Sequence, residues 1–263
     1  MTLTLLQADL SWHDADANRR AFDDAISGLE TPGDIIVLPE MFSTGFTMDA
    51  RSQAEPMDGP TVAWMMQAAS STGSAICGSV IIEAEGEFYN RFLFATPDGT
   101  LWKYDKRHLF RLAGEDEFYR AGEQRSVFSY RGFRICPQIC YDLRFPVWSR
   151  SRGDYDLLIY VANWPARRHH AWRTLIRARA IENQAFVAAV NRCGTDGNDL
   201  PYLGGSALID YLGEDLFDLG EQPGHGTASI DLADCEKFRD RFPFHRDADE
   251  FSLSGISATP SED

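Results

Sequence analysis

A chain of 263 residues with 44% hydrophobic content can bury a sizeable core, and no Pro/Ser-rich linker divides it, so one large domain is expected over residues 1–252. The formal charge of -15 sets up a field that repels nucleic acid and anionic membrane surfaces, which argues against both as partners. No apolar run reaches the ~18 residues of a membrane span, and Met1-Thr2-Leu3-Thr4-Leu5-Leu6 lacks the basic start and cleavage pattern of a signal peptide, so a cytoplasmic enzyme is expected.

Leu3 to Ala8 alternates as a strand, and Asp14 to Leu29 carries Ala17, Phe22, Ile26 and Leu29 at helical spacing. Thr31-Pro32-Gly33 turns the chain into Asp34-Ile35-Ile36-Val37-Leu38-Pro39-Glu40, a short buried strand with a carboxylate at its tip. An irregular loop follows at 42–46, and Gly59-Pro60 opens a helix from Thr61 to Ser70. The next buried strand is Ala75 to Ile82. Phe88 to Thr96 and Thr100 to Lys106 flank Pro97-Asp98-Gly99 and so form a hairpin, with Lys106 at the end of its second strand.

Residues 111–124 are polar and without periodicity, which predicts a loop able to cover a site. Val127-Phe128 and Phe133 to Ile139 pair as a hairpin that delivers Cys140 at a strand's carboxyl end, where α/β proteins keep their chemistry. Pro146 to Arg152 reads as helical, and Leu157 to Ala162 as a buried strand closed by Asn163-Trp164-Pro165. Arg168 to Gln184 is the clearest helix, with Trp172, Leu175, Ile176, Ala180 and Asn183 on one side and Arg173, Arg177 and Arg179 elsewhere. Strands at 186–191, 205–210 and 227–231 complete a mixed sheet covered by helices, and the apolar-poor segment 253–263 is expected to be a disordered tail.

A carboxylate, an ammonium and a thiol thus stand at the ends of three strand-like units: a base, a cation and a nucleophile. The five cysteines are odd in number and widely spaced, so free thiols are expected. Cys136 and Cys140 would lie about 13 Å apart on a strand, and no second Cys/His pair stands at zinc spacing, so neither a metal nor another cofactor is expected. A Cys-His hydrolase using His108, His169 or His170 as base is the rival enzyme reading. A scaffold that has kept its fold for partner binding is the non-enzyme one.

Leu38-Pro39-Glu40, Tyr104-Asp105-Lys106-Arg107-His108-Leu109-Phe110 and Ile139-Cys140-Tyr141-Asp142-Leu143-Arg144-Phe145-Pro146 resemble, in order, the three catalytic signatures of the nitrilase, or carbon-nitrogen hydrolase, superfamily. Ala162-Asn163-Trp164-Pro165, Ala178 to Gln184 and Asn191 to Gly194 resemble the segments that follow them, and the likeness runs from Leu5 to about Phe251. Lys-Arg-His-Leu-Phe, Asn-Trp-Pro-x-x-Arg and Arg241-Phe242-Pro243-Phe244 are most similar to the ω-amidase group. The resemblance implies a four-layer α-β-β-α sandwich with two mixed sheets, a homodimer paired through helices, and hydrolysis of the terminal amide of 2-oxoglutaramate or 2-oxosuccinamate. N-carbamoyl amine and nitrile hydrolysis stay open within the superfamily.

In that scheme Cys140 attacks the amide as thiolate and Glu40 shuttles the proton, while Lys106 and the Tyr141 backbone N–H hold the oxyanion. The family pattern, counted back from Ala121-Gly122, points to Glu115 rather than Glu117 as a second glutamate that positions Lys106 and the substrate amide. The segment between Lys106 and Cys140 is shorter than in many relatives. Arg144 and Arg173 are the candidates for gripping a substrate carboxylate in a bidentate fork, and Tyr141, Phe42 and Trp164 the candidates for walling the pocket.

Overall fold

The computed structural model describes residues 1–252, and the tail expected at 253–263 lies outside the described residues. Strand β1 (Thr2–Gln7), helix α1 (Ala15–Ser27) and strand β2 (Ile35–Val37) form the predicted β-α-β opening, with β2 parallel to β1. Asp14 caps α1 by accepting from the Ala17 N–H, and the helix buries Phe22 and Ile26. The β2 ladder stops at Val37, three residues before the expected end at Glu40: Pro39 has no N–H to donate, and the chain leaves the sheet there.

A short helix α2 (Ala50–Gln53) precedes α3 (Pro60–Thr72), which has Pro60 in its first turn and ends on Gly73 in the left-handed conformation. Strands β3 (Ala75–Ala84), β4 (Glu87–Ala95) and β5 (Leu101–Asp105) then run antiparallel in succession. The segment read as a loop at 111–124 contains one helical turn, α4 (Glu115–Phe118). Strands β6 (Phe128–Tyr130) and β7 (Phe133–Ile139) form the second hairpin; α5 (Pro146–Ser149) ends three residues before the predicted Arg152, and β8 (Leu157–Ala162) follows. Helix α6 (His169–Asn183) and β9 (Phe186–Asn191) match the sequence reading within a residue or so.

Beyond β9 the structure departs further from expectation. A small hairpin of β10 (Cys193–Thr195) and β11 (Pro201–Leu203) was not foreseen, nor was β13 (Asp215–Asp218), which pairs with the short β12 (Ala207–Ile209). Strand β14 (Gly224–Ser229) starts three residues earlier than expected and leads into an unforeseen helix, α7 (Leu232–Arg241), capped by Asp231.

The main strands make two six-stranded mixed sheets, ordered β14-β1-β2-β3-β4-β5 and β13-β12-β9-β8-β7-β6. The alternation within β8 shows how they stack. Leu157, Ile159 and Val161 face Leu5, Val37, Cys77 and Phe94 of the other sheet, whereas Leu158, Tyr160 and Ala162 face Trp172, Ile176 and Ala180 of α6. On the far side Phe22, Ile26, Val62 and Met65 of α1 and α3 cover Ile36, Ile76 and Leu93. The layers are therefore α-β-β-α, as the resemblance implied. Among the described residues no helix is long and apolar enough to cross a membrane.

Candidate active site

The three expected catalytic segments leave both sheets at one end and converge. Glu40 follows β2 and is fully buried, and the turn it opens is held by the Met41 N–H donating to Ser79 Oγ at 2.8 Å. Lys106 follows β5, with its N–H donating to the Asn90 carbonyl at 3.0 Å and its own carbonyl accepting from Gly122 at 2.9 Å. A Cβ on Gly122 would stand 2.1 Å from the Asp105 carbonyl oxygen, so this close approach admits only glycine. Cys140 follows β7 with φ +44°, a left-handed turn that lifts the thiol off the strand.

Lys106 Nζ donates to Glu40 Oε1 at 2.9 Å and to both Glu115 carboxylate oxygens at 2.9 Å. Glu115 is fully buried and also accepts from the Phe110 N–H, while Glu117 is exposed; the α4 turn carries Glu115 inward from a segment read as solvated. Burial by itself would strip the proton from Lys106, but Glu115 and Glu40 outweigh it and raise the ammonium's pKa, so Lys106 stays charged. Burial likewise raises Glu115 against the pull of Lys106. Burial and the Glu40 carboxylate push the Cys140 thiol well above its ordinary range, with Lys106 opposing, so the resting thiol is protonated.

Three further groups hold this set, and sequence reasoning gave none of them a role. Asn90 Nδ2 donates to Glu40 Oε1 at 2.8 Å, and the Asn163 N–H donates to Oε2 at 2.7 Å. Asp142, fully buried, accepts from the Ile139 N–H at 3.0 Å, the Tyr104 hydroxyl at 2.7 Å and the His108 N–H at 3.0 Å; it thereby ties the Cys140 turn to the chain beyond Lys106. The signal for Asn90 is an amide two residues before the apolar run Phe92-Leu93-Phe94-Ala95 of the same strand. Asn163 and Asp142 stood inside motifs already singled out.

Lys106 and Cys140 open on a cavity of about 460 Å³, whose wall includes Phe46, Phe110, Tyr141, Asn163 and Trp164. Arg144 also reaches it, with its guanidinium 4.9 Å over the Trp164 ring. Two of the candidates do not. Arg173 turns from α6 to the unforeseen β13 and pairs with Asp218 at 2.5 Å, and Phe42 is sealed into the core between β3 and the helices, 5.6 Å from Phe22 and 5.7 Å from Trp64. Their places are taken by Arg168, 4.8 Å over the Phe110 ring on the turn after Pro165, and by Phe46, whose ring lies 5.1 Å beneath Lys106 Nζ. Arg179, read as lying elsewhere than on the apolar side of its helix, is buried and donates to the Leu143 carbonyl at 2.6 Å behind the Cys140 turn.

None of His108, His169 and His170 lines this cavity. His108 Nδ1 contacts Asp142 Oδ1 at 2.7 Å and stacks on Phe145, and His169 lies against Gly205. All five cysteines are free, and among the described residues no group of His, Cys, Asp or Glu is arranged to hold a metal ion.

The carbon-nitrogen hydrolase family model matches residues 2–240. Omega-amidase YafV of Yersinia enterocolitica is 49% identical over 256 residues, covering 96% of this chain and 98% of that protein. The 2-oxoglutaramate amidase of Bacillus subtilis (strain 168) is 33% identical over 251 residues, covering 94% of this chain and 96% of that one. Among solved structures, XC1258 from Xanthomonas campestris, a CN-hydrolase superfamily protein with an arsenic adduct in the active site, superposes with a TM-score of 0.94 at 48% identity, covering 97% of this chain and 99% of that chain.

Proposed function

The chain belongs to the carbon-nitrogen hydrolase family, and from that premise we propose that it hydrolyses the terminal amide of short dicarboxylic acid monoamides of the 2-oxoglutaramate type, releasing ammonia. The omega-amidase and 2-oxoglutaramate amidase relatives support the substrate class. The observation that carries the residue roles is the buried Glu40-Lys106-Glu115 cluster, bonded at 2.9 Å and joined to a thiol on a cavity wall.

Glu40 removes the thiol proton as Cys140 Sγ attacks the amide carbon, so no free thiolate accumulates beforehand. The carbonyl oxygen takes the negative charge and is met by Lys106 Nζ and the Tyr141 backbone N–H. Lys106 is suited to this because it keeps its proton. Glu40 passes the proton to nitrogen, the C–N bond breaks, and ammonia leaves a Cys140 thioester. Water, deprotonated by Glu40, then attacks the thioester carbon; the C–S bond breaks and the proton returns to sulfur. Glu115 holds Lys106 in place throughout, and Arg144 receives the carboxylate at the substrate's far end.

The reading extends to a cytoplasmic homodimer built from one catalytic domain over residues 1–252. Both sheets contribute to one site, which supports the single domain. An exposed apolar patch, with Ile181 of α6 against Gly213 and beside Leu212, supports a helix-mediated pairing. Sedimentation should give twice the chain mass.

The test mixes enzyme with 2-oxoglutaramate and reads ammonia release together with intact mass. Expected are ammonia and a transient acyl adduct that is absent in Cys140→Ser. If no adduct forms and no ammonia is released while Cys140 still alkylates, the amidase reading fails and the scaffold takes its place.

A further inference from the structure

The cavity carries more positive charge than one carboxylate requires. Arg144, Arg167 and Arg168 all line it, and among the described residues none of the three guanidinium groups donates to a protein acceptor or pairs with a carboxylate. The arginines of the neighbouring helix α6 are by contrast each engaged by a carboxylate: Arg173 with Asp218, Arg177 with Asp215 and Arg179 with Glu182. Two carboxylates also border the space. Asp196 is already engaged by the Asn198 and Leu200 N–H groups and the Tyr202 hydroxyl, and Asp49 is exposed at the rim.

Arg144 is exposed and Arg168 half-buried, and each rests on an aromatic ring. Each guanidinium lies over a ring that itself walls the cavity, Trp164 at 4.9 Å and Phe110 at 4.8 Å. Trp164 is clamped in turn, its indole N–H donating to the Arg168 carbonyl at 2.8 Å and its backbone N–H to Asn191 Oδ1 at 2.7 Å. Burial and the neighbouring Arg167 and Arg144 lower the pKa of Arg168, which lines the same cavity as Cys140.

We propose that Arg144 and Arg168 form a two-cation clamp for a 2-oxo carboxylate, one fork taking the carboxylate and the other the adjacent 2-oxo oxygen. The site therefore selects 2-oxo acids over plain dicarboxylic acid analogues. This deepens the amidase reading and rests on it for the substrate. A 2-oxo acid head presents three oxygen acceptors side by side, which suits two planar donor forks better than a lone carboxylate does. A 2-amino group in the same position would set an ammonium against two guanidinium groups, so the clamp also disfavours the amino acid amides.

Calorimetric titration with 2-oxoglutarate and with glutarate tests the clamp without turnover, and kcat/KM for 2-oxoglutaramate and glutaramate tests it in catalysis. One charge-assisted bond to the 2-oxo oxygen should give wild type a preference of about 10- to 100-fold for the 2-oxo ligand in both assays. R168M should reduce that preference to within about threefold. R168K, which keeps the charge and loses the fork, should restore binding of glutarate and not the preference. A wild-type preference within twofold, or an R168M preference equal to wild type, overturns the clamp even if the enzyme hydrolyses both amides. An enzyme that hydrolyses no monoamide but still prefers 2-oxoglutarate overturns the amidase reading and upholds the clamp.

Discussion

Glu115→Gln is the sharpest test of how the buried cluster works. Lys106 Nζ meets three carboxylate oxygens at 2.9 Å, two from Glu115 and one from Glu40. At an effective dielectric constant of about 20, a unit pair at that separation attracts by roughly 6 kcal/mol, and most of this offsets the cost of desolvating both charges. Removing one partner of a buried pair costs ~3 to 5 kcal/mol of stability, and since Lys106 keeps Glu40 the low end applies. Lys106 displaced from the oxyanion costs about 3 kcal/mol in the barrier, about two orders of magnitude in kcat/KM.

A second readout fixes the sign. Glu115 is one of the carboxylates that raise the Cys140 pKa, so the neutral glutamine must lower it. The pH profile of Cys140 alkylation by iodoacetamide should therefore move to lower pH in E115Q, giving a more reactive thiol in a much slower enzyme. Wild-type turnover in E115Q, or an alkylation profile that stays put or moves up, would refute the account of Lys106 as a cation held by two carboxylates.

Replacing His169 or His170 by Asn should leave ammonia release within about threefold of wild type, whereas Glu40→Gln should abolish it by removing the proton shuttle, a contribution of at least about 100-fold; the reverse pattern restores the Cys-His reading. The raised pKa of Glu115 predicts that the acid limb of activity lies above the ordinary Glu range near 4.3, which a pH-rate profile reads directly. Asp156 is buried and its pKa is lowered, because Arg134 and Arg239 outweigh the cost of burial. Its contribution to stability is therefore complete above an unfolded value of about 3.9 and lost as acid takes the carboxylate through its folded pKa; thermal melts should show D156N less stable at neutral pH and with a flatter fall below about pH 4. Gly122→Ala forces a Cβ to 2.1 Å from the Asp105 carbonyl. Overpacking of that kind costs about 1 to 3 kcal/mol, a loss of roughly 2 to 4 °C in Tm per kcal/mol, and activity should fall with it because Gly122 anchors Lys106.

Glu40 and Cys140 were legible because each follows a buried, apolar β run that stops at a sudden polar residue, and Lys106 because it closes the hairpin turned by Pro97-Asp98-Gly99. Glu115 sits on a single helical turn among other acidic residues, where nothing periodic separates a buried carboxylate from solvated ones, so only the resemblance pointed to it. Arg173 was misplaced for a different reason. Spacing puts it correctly on α6, but its direction depends on Asp218 in β13, a strand of Asp215-Leu216-Phe217-Asp218 whose exposed, acid-flanked pattern gave no alternation to read. Helix α7 escaped notice because it buries Cys235 alone, too little to impose a helical period on Leu-Ala-Asp-Cys-Glu-Lys-Phe-Arg-Asp-Arg.

The remaining feature ties fold to chemistry through strain. Met41 and Cys140, neither of them glycine, both take left-handed backbone angles, φ +43° immediately after Glu40 and φ +44° just past the end of β7. Each such residue costs on the order of 1 kcal/mol or more and persists only where its surroundings over-determine it. Here they do: Ser79 Oγ and the Ser79 carbonyl hold the Met41 turn, and Asp142 with its three donors holds the Cys140 turn. The two turns belong to different sheets, so the Glu40 to Cys140 geometry is fixed by the apolar layer between β2 and the paired β7 and β8, in which Val37, Ile139, Ile159 and Val161 are fully buried. Sheet-to-sheet packing is thus the element that sets the Glu40 carboxylate against the Cys140 thiol, and the strained turns are the local cost of bringing the two side chains together.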